Sequence, residues 1–100
     1  MALSIKPGVD FTKIHSRIVA ILPTLERIWA KFGKDLVITS ARDGKHRLDS
    51  FHYKGKAIDC RTRYFDAQAC HAVLSEAQAA LGSDFDVVLE SDHIHVELDP

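Results

Sequence analysis

Apolar residues recur at intervals of three and four along the first third of the chain. The stripe comprises Phe11, Ile14, Ile18, Ile21, Leu22, Leu25, Ile28, Trp29 and Phe32. This spacing puts the side chains on one helix face and predicts a long helix, capped by Asp10 and ended by Gly33. Pro23 interrupts the stripe and removes one backbone hydrogen bond, which predicts a kink or a split at that point.

A second helix pattern and four strand patterns follow. The helix is predicted from about Asp66, which caps it, to Leu81, with Gly82 closing it. The strands are predicted at Leu36–Ser40, 56–61, 85–90 and His93–Leu98, with a loop at 41–51. The order helix, strand, loop, strand, helix, strand, strand predicts a single α+β domain over residues 1–100. We expect an antiparallel sheet with the helices on one face.

Composition narrows the classes of protein that the chain can represent. One hundred residues form one domain, and 46% apolar with 27% charged residues is ordinary for a soluble globular protein. A net charge of −1 predicts no field that recruits nucleic acid or an anionic membrane. No apolar run approaches the roughly 20 residues of a membrane helix, and the N-terminal residues do not resemble a signal peptide. We therefore expect a cytoplasmic product without membrane insertion; the oligomeric state is left open.

Histidine is the compositional oddity, and four of the six histidines fall in two short segments. They are His46, His52, His93 and His95. Hydrolytic zinc sites use three protein ligands of the His, Asp or Glu type and keep a fourth position for water. His52, Asp59 and His95 are the predicted three, with Gly55 letting the loop turn so that His52 reaches Asp59.

Strand alternation leaves part of this choice open. In the last strand, Ile94 and its alternate neighbours face the core, so His93, His95 and Glu97 share the opposite face. Both histidines are therefore candidate ligands on spacing alone, and a metal-free domain with incidental histidines is a further alternative. Cys60 should face away from Asp59 on the same strand, and we expect Cys60 and Cys70 to be free thiols.

The two histidine segments together resemble a known family. Ser50-x-His52-x-x-Gly55-x-Ala57-x-Asp59, followed by Asp92-His93-Ile94-His95, is similar to the pattern of the zinc D-alanyl-D-alanine carboxypeptidase and L-alanyl-D-glutamate endopeptidase family. The family pattern is His-x(6)-Asp, then an acidic residue three positions before a final His. The resemblance runs from about Thr39 to Glu97. It implies the fold that this family shares with the amino-terminal signalling domain of hedgehog proteins.

The resemblance also implies roles for individual residues. It makes His52, Asp59 and His95 the Zn²⁺ ligands, Asp92 the catalytic acid/base and His93 an assisting residue. Arg42 matches the arginine after a Ser-Gly-x-Arg-like turn, here Ser40-Ala41-Arg42, and is expected to stabilise the oxyanion or hold a substrate carboxylate. Glu90 is a rival for the base, and Glu97 is expected to orient a ligand histidine.

The function implied by this resemblance is a zinc metallopeptidase. It would hydrolyse peptidoglycan stem peptides, as a D-Ala-D-Ala carboxypeptidase or an L-Ala-D-Glu endopeptidase, and phage or prophage lysins offer a route by which such an enzyme reaches the cell wall. The alternative is a zinc-stabilised binding or structural module of the same fold without turnover.

Overall fold

The structure, a computed structural model, describes residues 2–43 and 50–100. Along these residues the elements are β1 (Leu3–Ile5), α1 (Ser16–Lys31), β2 (Leu36–Ser40), β3 (Ala57–Arg61), α2 (Ala67–Leu81), β4 (Phe85–Leu89) and β5 (His93–Leu98). The predicted α+β fold is confirmed, and each predicted strand is present to within one residue at either end. His46, like the rest of residues 44–49 in the predicted loop, lies outside the described residues.

The five strands form one sheet in the order β1-β2-β3-β5-β4. The pairs β2/β3, β3/β5 and β4/β5 are antiparallel, as predicted. The expectation of an entirely antiparallel sheet is nevertheless wrong, because the edge strand β1 pairs with β2 in parallel. This strand has only three residues, all exposed, so its Leu-Ser-Ile alternation is too short to reveal a strand in the sequence.

Helix α1 begins later than the apolar stripe indicates. The Asp10 carboxylate accepts hydrogen bonds from the backbone and the hydroxyl of Thr12, and Lys13 has a φ of 53°, so this segment is a turn. His15 caps the helix instead, its Nδ1 accepting from the Arg17 N–H at 3.1 Å. The predicted start at Asp10 is therefore wrong by about one and a half turns.

Pro23 does not split α1, which runs unbroken from Ser16 to Lys31. Pro23 is exposed, on the side of the helix away from the core. The buried face comprises Ile18, Leu22, Leu25, Ile28 and Trp29. The chain leaves the helix as predicted, with Gly33 at a φ of 81° and its N–H bonded to the Ala30 carbonyl.

Helix α2 agrees with its prediction at both ends. Asp66 caps it by accepting from the Ala69 N–H at 2.8 Å, and Gly82 closes it. Both helices share one core with the inner face of the sheet, which includes Ile38, Ile58, Cys60, Ile94 and Val96. The opposite face carries the polar strand residues. Neither helix within the described ranges has the length and hydropathy of a bilayer-spanning segment.

Candidate metal site

The central strand pair places two of the predicted ligands side by side. β3 and β5 are neighbours, and Asp59 is the direct cross-strand partner of His95. The residues on either side of each, such as Ile58 and Ile94, are fully buried in the core. Because successive strand side chains point to opposite faces, Asp59 and His95 lie together on the polar face of the sheet.

A tight turn brings His52 to the same point. The Gly55 N–H donates to the His52 carbonyl at 3.0 Å, and the Lys56 N–H donates to the Phe51 carbonyl at 2.9 Å. Gly55 has a φ of 72°, a conformation that side chains rarely adopt, and its carbonyl accepts from the His15 N–H at 2.8 Å. The turn is thus fastened to the segment before α1, and His52 is buried.

Gly55 is expected to tolerate no side chain. A Cβ atom there would lie 2.3 Å from the Lys13 carbonyl oxygen, in addition to the strain of its positive φ. We expect Gly55→Ala to lower the free energy of unfolding by more than about 2 kcal/mol, measured by urea denaturation. Gly33→Ala is the matched control: its φ is 81° but a Cβ meets nothing within 4 Å, so about 1 kcal/mol is expected. Equal losses in the two variants would contradict the close contact.

Three donor atoms converge where these elements meet. His52 Nε2 lies 3.3 Å from Asp59 Oδ1 and 3.2 Å from His95 Nδ1, and His95 Nδ1 lies 3.0 Å from Asp59 Oδ1. Ligands held at about 2.0–2.2 Å from a tetrahedral zinc are about 3.3–3.6 Å apart, close to these separations. The three residues form a group whose atoms can share one ion.

The other nitrogen of each imidazole has its own acceptor. His52 Nδ1 lies 2.7 Å from the Ala41 carbonyl oxygen, and His95 Nε2 lies 3.0 Å from Glu97 Oε1. A proton on each of these nitrogens leaves His52 Nε2 and His95 Nδ1 with bare lone pairs towards Asp59, as a metal requires. The predicted orienting contact of Glu97 with a histidine is thus present. The donor set fits Zn²⁺.

Without an ion, the same atoms form an ion pair. The hydrogen bond to Asp59, with a further one to Glu97, outweighs partial burial and raises the pKa of His95 to about 9. Burial favours the neutral form of Asp59, but hydrogen bonds from His52 and His95 together hold its pKa well below the ordinary value. An ion bound at this point would have to displace the proton on His95 Nδ1.

This ion pair makes the stability of the metal-free protein depend on pH. His95 has an ordinary pKa of 6.5 when unfolded and about 9 when folded, so its contribution is complete below pH 6.5 and is lost as the pH rises through 9. In chelator, we expect the free energy of unfolding to fall by about 1–2 kcal/mol between pH 6.5 and 9, allowing for solvent screening. Urea titrations at several pH values measure this. His95→Gln should show a flatter profile; identical profiles would contradict the assignment.

Asp92 and Glu90 both lie next to His93, beyond the three-residue group. His93 Nδ1 is 2.8 Å from Asp92 Oδ1, while its Nε2 is 3.7 Å from both Glu90 Oε1 and Asp59 Oδ2. A hydrogen bond from His93, with weaker help from Arg63, lowers the pKa of Asp92. Asp92 is therefore linked to His52, Asp59 and His95 through His93, and the described geometry does not bring its carboxylate into direct contact with any of those three side chains.

Arg42 lies beside the turn that carries His52. Its Nε is 3.4 Å from the Tyr53 carbonyl oxygen, and its Nη1 is 3.4 Å from the Thr12 carbonyl and hydroxyl oxygens. The guanidinium thus joins the turn to the segment before α1. Cys60 packs in the core on the other side of β3, where burial raises the pKa of its thiol, so it is not among the candidate ligands.

The Ala41 carbonyl is the contributor that sequence reasoning missed. Its role comes from a backbone oxygen, and a backbone acceptor leaves no trace in residue type or spacing. No protein-family model matches the chain, and no curated protein matches it.

Proposed function

We propose that this protein is a zinc-dependent hydrolase, with His52, Asp59 and His95 as the metal ligands. The observation that carries the proposal is the convergence of two imidazole nitrogens and one carboxylate oxygen within 3.3 Å of one another. Each imidazole also has a separate acceptor for its second nitrogen. Histidine and carboxylate ligands of this number are typical of catalytic zinc, which keeps a position for water.

The particular hydrolase we propose is a peptidase of peptidoglycan stem peptides. Support comes from the two motifs around His52 and His95, which resemble those of D-Ala-D-Ala carboxypeptidases and L-Ala-D-Glu endopeptidases. An acidic residue, Asp92, stands three positions before the last ligand, at the place where that pattern has its acid/base. We propose that the enzyme is made in the cytoplasm and acts on the cell wall after release, as phage lysis enzymes do.

Zinc, when bound, supplies a Lewis acid that polarises the scissile carbonyl and favours water as the nucleophile at neutral pH. Asp92 is ionised at that pH, since the ordinary pKa of an aspartate is far below neutrality and the hydrogen bond to His93 lowers it further. Its carboxylate takes a proton from the attacking water and returns it to the departing amine nitrogen. His93 holds Asp92 at 2.8 Å and so fixes the direction of that carboxylate.

The competing function is a zinc-stabilised module that binds without turnover. The observation that favours it is the exposure of the Asp92 side chain, 71% of which is open to solvent. A general base works best in a site from which water is excluded, so substrate would have to cover this residue.

Digestion of purified peptidoglycan tests the proposal. We expect the zinc-loaded protein to release peptide fragments, and mass spectrometry of the products identifies the bond that is cut. Chelator should abolish release, and added Zn²⁺ should restore it. Stoichiometric zinc binding with no release of fragments would refute the peptidase and leave the binding module.

A further inference from the structure

A small cavity beside the proposed metal site is lined by cationic side chains. It has a volume of about 80 Å³, and its lining residues are Lys6, Thr39, Arg61, Arg63 and Asp92. A water molecule occupies about 30 Å³ of liquid, so the space suits one small polar group such as a carboxylate. Three of these side chains are positive and one is negative, so the lining favours an anion.

None of the three cations forms a salt bridge among the described residues, and the anionic side chain beside them in the cavity is Asp92, whose pKa is lowered by its hydrogen bond to His93 and, more weakly, by the charge of Arg63. The salt bridges within residues 2–43 and 50–100 that involve lysine or arginine join Arg17 to Asp84 and Lys31 to Glu76, both elsewhere. Arg61 is half-buried, and its carbonyl oxygen accepts from the Trp29 indole at 3.0 Å, which fixes the backbone that carries its guanidinium. The planar guanidinium fork is itself pre-organised, so an arginine loses less freedom per hydrogen bond formed to an anion than a lysine does.

Strand geometry sets the distance from this cavity to the ligands. Arg61 follows Asp59 by two residues on β3 and pairs with His93 on β5, so it lies on the same face as the metal ligands. Two residues of strand span about 7 Å. A peptide residue spans about 3.5 Å, so a group one residue past the scissile carbonyl comes within reach of an arginine side chain. The proposed acid/base, Asp92, lines the same cavity.

We infer that Lys6, Arg61 and Arg63 form a subsite for the carboxylate carried by the leaving-group residue of the substrate. This inference rests on the proposed peptidase function. In a D-Ala-D-Ala terminus, the departing nitrogen is attached to a carbon that bears a free carboxylate. In an L-Ala-D-Glu bond whose chain continues through the side-chain carboxyl, the departing nitrogen is attached to the same kind of carbon. The subsite thus selects for this shared group.

The geometry assigns this task to the cavity and not to Arg42. The Arg42 guanidinium lies against the carbonyl oxygens of Thr12 and Tyr53, which satisfy part of its donor capacity. Arg61 and Arg63 offer planar guanidinium forks suited to a carboxylate. Arg42→Gln and Arg61→Gln should consequently have different effects on recognition of the substrate carboxylate.

Two small probes test the subsite without requiring hydrolysis. N-acetyl-D-alanine carries the carboxylate next to an amide, and N-acetyl-D-alaninamide is its uncharged counterpart. Both are titrated into the zinc-loaded, isotope-labelled protein, and NMR chemical shifts report affinity and location. We expect the carboxylate to bind about tenfold more tightly, with the largest shifts at Thr39 and Arg61. Arg61→Gln should remove this preference. Arg63→Gln should reduce the preference for the carboxylate. Because Arg63 is exposed, this variant serves as the test if Arg61→Gln does not fold.

Arg27→Gln is the matched control, because it removes the same charge from an exposed position on α1. It should leave the preference unchanged. Equal binding of the two probes would overturn the subsite. A preference for the carboxylate that persists in Arg61→Gln and Arg63→Gln but disappears in Arg42→Gln would also overturn it. A protein that cleaves peptidoglycan with no carboxylate preference refutes only the subsite. A protein that binds the carboxylate probe but never cleaves peptidoglycan refutes only the peptidase.

Discussion

Replacing His95 with alanine is expected to lower zinc affinity by about 10²- to 10³-fold and to abolish hydrolysis. Free energies of about 10–16 kcal/mol for structural zinc, shared among four ligands, correspond to a loss of this size for each ligand. His95 Nδ1 is one of the three converging donor atoms, so its removal leaves two protein ligands. Competition with a chromophoric chelator measures the affinity.

His71→Ala is the control for this change. His71 is an exposed histidine on α2, outside the proposed site, and its loss should leave zinc affinity and activity unchanged. His52→Ala should reproduce the effect of His95→Ala, because its Nε2 belongs to the same group. Wild-type zinc affinity in a folded His95→Ala protein would mean that these residues do not hold the metal.

Asp92→Asn is expected to keep zinc and to lower the rate of hydrolysis by about 10²- to 10⁴-fold. Asparagine retains the shape of the side chain but cannot accept the proton that a general base removes. Zinc content stays the same, since Asp92 is outside the three-residue group. Metal analysis of the purified variant and fragment release from peptidoglycan separate these two effects.

Glu90→Gln supplies the comparison, because the Glu90 and Asp92 carboxylates lie on either side of His93. It should change hydrolysis little. If Asp92→Asn cleaves at nearly the wild-type rate and Glu90→Gln does not, then Glu90 is the base. In either variant, loss of zinc together with loss of activity would point to a structural role.

Local sequence patterns predicted most of the helices and strands, because these elements depend on residues that are close together along the chain. Asp66 and Gly82 mark α2 through capping, which acts over three or four residues, and both ends are correct. The predicted start of α1 was wrong for the same reason, because a capping signal is short-range. Asp10 has the chemistry of a cap, but Thr12 satisfies it in a turn, and His15 caps the helix instead. Residue type alone does not choose between two nearby candidates.

The chain's own order of residues determined which side chains can serve as ligands and on which face they lie. Alternation along β3 and β5 puts Asp59 and His95 opposite the core whatever the neighbouring strands are. Tertiary structure alone decided that these strands are adjacent in register, that His52 reaches them, and that the Ala41 carbonyl orients it. It also brought Lys6 beside Arg61. Such contacts join residues far apart along the chain, and several of them use backbone groups that nearly every residue type carries, so no local pattern encodes them.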